Sequence, residues 1–261
     1  MKGKNVQLER RYYHGKYMTV YTYPVFKKGK GRRKKTKVSS DVQKKLNDRH
    51  AQEKFRMLID NNFSSDDIEL QLGFSDDYLP EEYEDVLGMI QKYFRRVRYY
   101  YKTEFDVKLK YVGVIEKGAR RGRFHAHVTI NIPDKSRRGE IREKLEELWI
   151  YGSAYSFPLI FNENGMQGMS KYMVCNPDKP DIDGMYKRWI QSKGLKKPEC
   201  RERAGYISKK TVKDIREGKV TEREIERLYP GYRVSEIESF HNDFNNGEYL
   251  VIRLYKNEMR C

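Results

Sequence analysis

A strict alternation of apolar and polar side chains over residues 124–132 restricts the possible folds of this chain more than any other feature. The segment reads FHAHVTINI. Because successive side chains of a β-strand point to opposite faces of a sheet, the apolar residues from Phe124 to Ile130 would share one face. The opposite face would carry both His125 and His127. The pattern therefore predicts a strand that buries one face in a core and presents a histidine pair on the other.

Patterns typical of strands and helices alternate along the rest of the chain. The apolar residues of 67–75 recur at every second position, and those that follow Pro80 recur at every third or fourth, which predicts a strand and then a helix. The other predicted elements are a helix that begins at Ser39 or Ser40, strands over 108–116 and 153–160, helices over 136–149 and 165–174, and a C-terminal hairpin that turns near Asn245-Asn246-Gly247. This order predicts an α+β fold in which helices flank a central antiparallel sheet.

The same patterns divide the chain into three expected segments. Residues 1–60 would form a basic N-terminal arm and a helix, residues 61–177 the core that contains the sheet, and residues 178–261 a C-terminal extension that ends in the hairpin. Aromatic residues make up 13% of the chain, which is more than disordered polypeptides contain. We therefore expect a folded protein with polar extensions.

The charge of the chain points to a particular class of partner. Lys and Arg number 54 and Asp and Glu 38, so the formal net charge is +16. A polyphosphate such as a nucleic acid is the natural partner, because Lys and Arg side chains that bind phosphates release condensed counterions. An anionic membrane ranks lower, since no basic amphipathic segment with an exposed apolar face stands out. Residues 27–37, KKGKGRRKKTK, are either a solvated charge run or a phosphate-binding arm that includes Lys34 and Lys35.

The cysteines and the hydropathy pattern indicate a reducing compartment. The three cysteines, Cys175, Cys200 and Cys261, form no CxxC pair, so neither a disulfide framework nor a structural zinc site is expected. The N-terminal residues lack the apolar core of a signal peptide, and no run of 18 apolar residues occurs. We expect a cytoplasmic protein that does not associate with a membrane.

The histidine pair acquires a third potential metal ligand if the neighbouring strand turns back at GARRGR, residues 118–123. With the turn centred between its two adjacent arginines, Glu116 lies directly opposite His125, and opposed side chains share a sheet face about 5 Å apart. A shift of one residue would turn Glu116 to the core face. Two imidazoles, from His125 and His127, and a carboxylate suit Mg²⁺ or Mn²⁺, and the imidazoles favour Mn²⁺. The same ligands suit a non-haem iron oxygenase, and a chance H-x-H pair is the remaining alternative.

The segment GRFHAHV resembles the HUH motif (His, hydrophobic, His) of rolling-circle replication initiators of bacteria and phages. DIELQLGF lies where that superfamily has its first motif strand, and Glu116 occupies the position of its third metal ligand. MSKYMVCNP lies where the superfamily has its nucleophile helix, and RWIQSKGLKKP, residues 188–198, matches a segment that often follows it. The similarity extends from about residue 26 to the C-terminal hairpin. The ordered set of strand, Glu, HUH motif and tyrosine helix is more specific than the tripeptide alone.

The resemblance implies that residues 61–177 form an HUH-endonuclease domain that nicks and joins single-stranded DNA at an origin stem-loop. The metal would polarise the scissile phosphate, and Tyr172 would attack it and leave a 5′-phosphotyrosine and a free 3′-hydroxyl for a host polymerase. No G-x-x-x-x-G-K-[ST] segment occurs, so unwinding is expected from a host helicase or from supercoiling. The residues expected to bind DNA are Arg120, Arg121, Arg123, Lys171, Lys34 and Lys35.

One position of the nucleophile segment departs from the superfamily pattern and supports an alternative function. Members usually have a lysine three residues after the tyrosine, and this chain has Cys175 there. Lys171 lies next to Tyr172 but about 100° around the helix. The alternative is therefore a catalytically weakened HUH-fold protein that binds the origin or acts as a repressor.

Overall fold

The computed structural model describes residues 6–25, 41–118, 122–166, 188–243 and 246–257, and side chains in the first helix from residue 47 onward. The strands are β1 (Gln7–His14), β2 (Tyr17–Pro24), β3 (Ile68–Gly73), β4 (Tyr111–Lys117), β5 (Phe124–Ile130), β6 (Ala154–Pro158), β7 (Ile190–Gln191), β8 (Glu199–Ala204), β9 (Tyr232–Asn242) and β10 (Gly247–Lys256). The helices are α1 (Asp41–Asp60), α2 (Tyr83–Phe105), α3 (Arg138–Glu147), α4 (Lys209–Arg216) and α5 (Glu222–Leu228). The predicted α+β class is confirmed, while most of the short helix expected over 165–174 lies outside the described residues.

The described residues form two compact units, each with its own five-stranded antiparallel sheet. The central unit comprises residues 43–161 and 166–196, and the terminal unit comprises residues 1–42, 162–165 and 197–261. The strand order is β6-β3-β5-β4-β7 in the central unit and β8-β1-β2-β10-β9 in the terminal unit. None of the described helices is both long and apolar enough to cross a bilayer.

One face of the central sheet packs against α2 and α3. The core on this side contains the four apolar residues of β5 predicted for it, together with alternate residues of β3. Five residues of α2 that follow the predicted helical spacing are fully buried there: Val86, Ile90, Tyr93, Val97 and Tyr101. A capping box between Glu82 and Asp85 begins this helix, and Asp106 in the left-handed conformation ends it. The amphipathic pattern of the sequence therefore places this helix correctly.

The opposite face of the central sheet is partly covered by α1, which the sequence pattern did not predict. Phe55 and Ile59 of α1 pack with Val112 and Val114 of β4, and all four are fully buried. The alternation in β4 continues from these valines to Glu116, so Glu116 lies on the same face beyond the covered end. The face that carries the histidines is thus partly apolar, and a second core flanks the predicted metal site.

The terminal unit has a single described helical layer on its sheet. Inward-facing residues of β2 and β10 pack against α4 and α5, with Val212 and Ile225 fully buried between them. Each helix begins with a side-chain cap, from Ser208 for α4 and from Thr221 for α5. The C-terminal hairpin predicted from the sequence is present as β9 and β10.

The structure divides the chain at other positions than the three segments expected from the sequence. The boundaries expected after residues 60 and 177 do not coincide with those of the two units. Residues 7–24, which were placed in a basic arm, form β1 and β2, and β2 lies between β1 and β10. Thr22 pairs with Leu250 in this sheet. Backbone hydrogen bonds between segments so far apart in sequence leave no periodic signal in either segment, and this explains the difference.

Candidate metal centre

The β4–β5 hairpin brings Glu116 and His125 together in the predicted register. These two residues are direct cross-strand partners, and the apolar residues of β5 face the opposite core as expected. The backbone N–H of Gly118 donates to the carbonyl of Arg123 at 2.8 Å and closes the hairpin. Gly122 has a φ of 62°, in the left-handed region that glycine adopts without strain. The glycines beside the arginines therefore set the turn length and, with it, the face on which Glu116 lies.

The side chains of Glu116, His125 and His127 converge on the histidine face of the sheet. One potential ligand atom from each lies within 4.8 Å of the other two. Nε2 of His125 is 3.5 Å from Oε2 of Glu116, and the two imidazole rings meet edge to face with centroids 5.2 Å apart. Glu116 and His127 are buried, whereas about a third of the His125 side chain is exposed. Solvent or a ligand can therefore reach this triad from the His125 side.

The triad has the donor atoms and the spacing that a divalent first-row cation needs. Each ligand atom of such an ion lies about 2.0–2.2 Å from it, so two ligands of one ion can be up to about 4.4 Å apart. The 3.5 Å between His125 and Glu116 lies within that span. Two imidazole nitrogens and one carboxylate oxygen suit Mn²⁺ and related ions, and three protein ligands leave positions for water or substrate oxygens. The residues present fit a catalytic cation.

A second carboxylate, which the sequence patterns did not single out, contacts the triad from β3. Oε1 of Glu69 is 2.9 Å from Nδ1 of His127, and both side chains are largely buried. Glu69 lies on the polar face of the alternating strand, and this was the only sequence signal for it. The signal could not show that β3 is the neighbour of β5, on which the contact depends.

Among the residues expected to bind DNA, Arg123 lies within the described part of the chain. Its guanidinium forms an ion pair with Asp76 at 2.5 Å, and both side chains are well exposed. An exposed pair of this kind contributes little to stability, so Arg123 can exchange Asp76 for a phosphate at low cost. The remaining expected residues lie outside the described residues: Tyr172, Lys171, Arg120, Arg121, Lys34 and Lys35.

Comparison with known families gives the chain its context. A family model for the ORF2 type of replication-associated protein matches residues 78–215, just over half of the chain. The chain belongs to this family. The matched region contains the whole triad and Tyr172, but it begins after Glu69. No curated protein and no solved structure matches the chain. Membership of the ORF2 replication-associated family connects the protein with DNA replication and with the initiation of that process.

Proposed function

We propose that this member of the ORF2 replication-associated family is a metal-dependent HUH endonuclease and strand transferase that initiates rolling-circle replication of a plasmid or phage. The convergence of Glu116, His125 and His127, inside the region matched by a replication family, is the observation that carries the proposal. The large positive net charge fits a DNA substrate. A non-haem iron oxygenase could use the same three ligands, but neither the charge nor the family favours it.

The proposed reaction assigns a role to each residue of the site. Glu116, His125 and His127 would hold Mn²⁺ or Mg²⁺, which when bound withdraws charge from a scissile phosphate. The phenol oxygen of Tyr172 forms a bond to phosphorus, the bond from phosphorus to the 3′ oxygen breaks, and that oxygen leaves as a 3′-hydroxyl after it takes up a proton. The product is a 5′-phosphotyrosine. Because an unperturbed tyrosine has a pKa of about 10, the reaction depends on a site that activates the phosphate.

Cationic side chains would hold the DNA in place for this reaction. Arg123 stands beside the hairpin that carries the triad, and its exposed partner Asp76 is easily displaced by a phosphate. We propose that an origin stem-loop in single-stranded DNA is the substrate, that a host helicase extends the unwound region, and that a host polymerase elongates the 3′-hydroxyl. The further proposed phosphate contacts are Arg120, Arg121, Lys171, Lys34 and Lys35.

Incubation of the full chain with stem-loop oligonucleotides and Mn²⁺, followed by denaturing electrophoresis, tests the proposal. The wild type is expected to form a covalent protein–DNA adduct, which Tyr172→Phe and His127→Ala abolish. Tyr99→Phe is the matched control, because Tyr99 is 73% exposed on α2, on the other side of the central sheet, and it should retain the adduct. An adduct that persists in Tyr172→Phe would assign the nucleophile to another residue, and no adduct from the wild type in Mn²⁺ or Mg²⁺ would refute the nuclease.

Cys175 is the observation that favours a second candidate function, a DNA-binding protein with weakened catalysis. A cation one helical turn after the nucleophile would contact the phosphate, and a thiol cannot replace it. Such an origin binder or repressor would bind the stem-loop oligonucleotide without forming the adduct. Cys175→Lys distinguishes the two functions, because a gain of adduct in this variant alone would show that the wild type has lost the chemistry.

A further inference from the structure

We propose that Glu69 is a positioning residue of the metal centre, whose carboxylate holds His127 in the tautomer that offers its Nε2 lone pair to the cation. The proposal rests on the metal site of the proposed function and extends it to β3. Glu69 lies outside the region matched by the family model, so the match assigns it no role. The contact to His127 is the observation that supports it.

The sheet register places Glu69 beside the triad. Glu69 pairs with Thr129 across the β3–β5 ladder, and Gln71 pairs with His127. Glu69 is therefore diagonal to His127 on the same sheet face, a position from which a long side chain reaches its neighbour. The 2.9 Å contact joins Oε1 of Glu69 to Nδ1 of His127, and the side chains are 18% and 8% exposed. Little solvent competes for the contact, so the geometry is held by the sheet.

The chemistry of the two groups decides which ring nitrogen carries the proton. A neutral imidazole has one N–H and one lone pair, and a carboxylate accepts hydrogen bonds without donating any. At 2.9 Å the carboxylate of Glu69 must accept from the ring, so Nδ1 of His127 carries the hydrogen and Nε2 keeps the lone pair. A metal binds the lone pair, and a carboxylate on the other nitrogen raises the basicity of the ring. Glu69 thus selects the binding tautomer and fixes the ring orientation before an ion arrives.

The tautomer of His127 can be observed directly in the metal-free full chain. Long-range ¹H–¹⁵N correlation of protein labelled at histidine, recorded above the pH at which the imidazoles are protonated, is expected to show Nδ1 of His127 as the protonated nitrogen. Glu69→Ala removes the acceptor and should shift this ring toward the Nε2–H tautomer. Thr129→Val is the matched control, since Thr129 is the buried cross-strand partner of Glu69 and its hydroxyl makes no hydrogen bond within the described part of the chain. The control should leave the tautomer unchanged.

Mn²⁺ affinity supplies the second readout, which a purely structural role would not move. Titration of the full chain with Mn²⁺, followed through the electron paramagnetic resonance signal of the free ion, should show a roughly 10–100-fold weaker affinity for Glu69→Ala. Glu69→Gln changes the volume little and secures the test if the alanine variant fails to fold. It should also weaken binding, because an amide can accept from Nδ1 or donate to it and so no longer selects one tautomer.

The outcomes separate this proposal from the one on which it rests. If the wild type binds Mn²⁺ and both Glu69 variants bind it equally well, the positioning role is wrong and the metal centre stands. If the wild type binds no Mn²⁺, both proposals are wrong. If Glu69→Gln loses affinity while Thr129→Val does not, and the tautomer shifts in the same variant, the role of Glu69 is established whether or not the protein forms an adduct with DNA.

Discussion

Gly113 shows how closely the backbone is packed beside the metal centre. A Cβ atom at this position of β4 would lie 2.5 Å from the carbonyl oxygen of His127 and 2.9 Å from Cγ2 of Val128. Real Cβ atoms do not approach backbone atoms this closely, so any side chain would push β4 away from β5. Glycine in a strand often marks such an approach. The hairpin that carries the triad therefore depends on the absence of a side chain at this residue.

We expect Gly113→Ala to lower the free energy of unfolding by about 1–3 kcal/mol, because the added methyl group displaces β4 from β5. The same displacement should weaken Mn²⁺ binding. Gly88→Ala is the matched control, since Gly88 lies in α2 and an added Cβ would meet nothing within 4 Å. That variant should gain about 0.5–1 kcal/mol, as alanine is the better helix former. Urea denaturation measures both changes, and equal effects at the two glycines would contradict this account.

The last turn of α3 is held by donors from α2. The hydroxyl of Tyr93 donates to the carbonyl of Leu145 at 3.0 Å, and Nε of Arg96 donates to the carbonyl of Leu148 at 3.0 Å. The last carbonyls of a helix have no partner within the helix, and a helix of ten residues is marginal on its own. Side chains of α2 therefore satisfy the end of α3 and fix the two helices together on the sheet.

Tyr93→Phe should lower the free energy of unfolding by about 0.5–1.5 kcal/mol, since it removes the donor and leaves the buried carbonyl of Leu145 unsatisfied. Burial raises the pKa of Tyr93 well above its ordinary value, so the phenol stays protonated at pH 10, where an unperturbed tyrosine is half ionised. Tyr99→Phe on the exposed side of α2 should change the stability by less than about 0.5 kcal/mol. Chemical denaturation at neutral pH checks the pair, and a similar loss in both variants would show that the hydrogen bond contributes nothing specific.

At the scale of the whole molecule, an excess of positive charge is distributed over a protein built from two cores. The formal net charge is +16, and each unit has its own sheet and its own buried cluster. Charge of this sign attracts DNA from a distance and makes its binding sensitive to salt. The sequence-independent part of DNA affinity therefore belongs to the whole chain, whereas the proposed chemistry belongs to the central unit.

The affinity for single-stranded DNA should fall steeply with salt. Four phosphate contacts would reduce it by roughly fiftyfold between about 50 and 200 mM monovalent salt, because each contact contributes about 0.7 to the logarithmic slope. Arg123→Gln should lower the slope by about 0.7 if Arg123 binds one phosphate. Lys135→Gln is the control, as Lys135 is exposed and paired with Asp66 much as Arg123 is paired with Asp76. Fluorescence anisotropy gives the slopes, and an affinity independent of salt would contradict an electrostatic role for the charge.

Local patterns in the amino-acid order were enough to predict the hairpin and its two-imidazole, one-carboxylate set. The alternation in β5 places His125 and His127 on one face, and the turn GARRGR sets the register that puts Glu116 opposite His125. The buried stripe of α2 follows from helical spacing in the same way. Each of these features depends on residues close together in sequence, for which strand and helix geometry leaves few choices.

Contacts between distant segments could be known only after the chain had folded. The contact between Glu69 and His127 exists because β3 pairs with β5, and β2 is an inner strand because it pairs with β10. The cover that α1 places over Val112 and Val114 is of the same kind. A strand has the same periodicity whichever strand becomes its neighbour, so its sequence does not specify the partner. The choice follows from the burial and hydrogen bonding of the whole sheet, which are satisfied together rather than one element at a time.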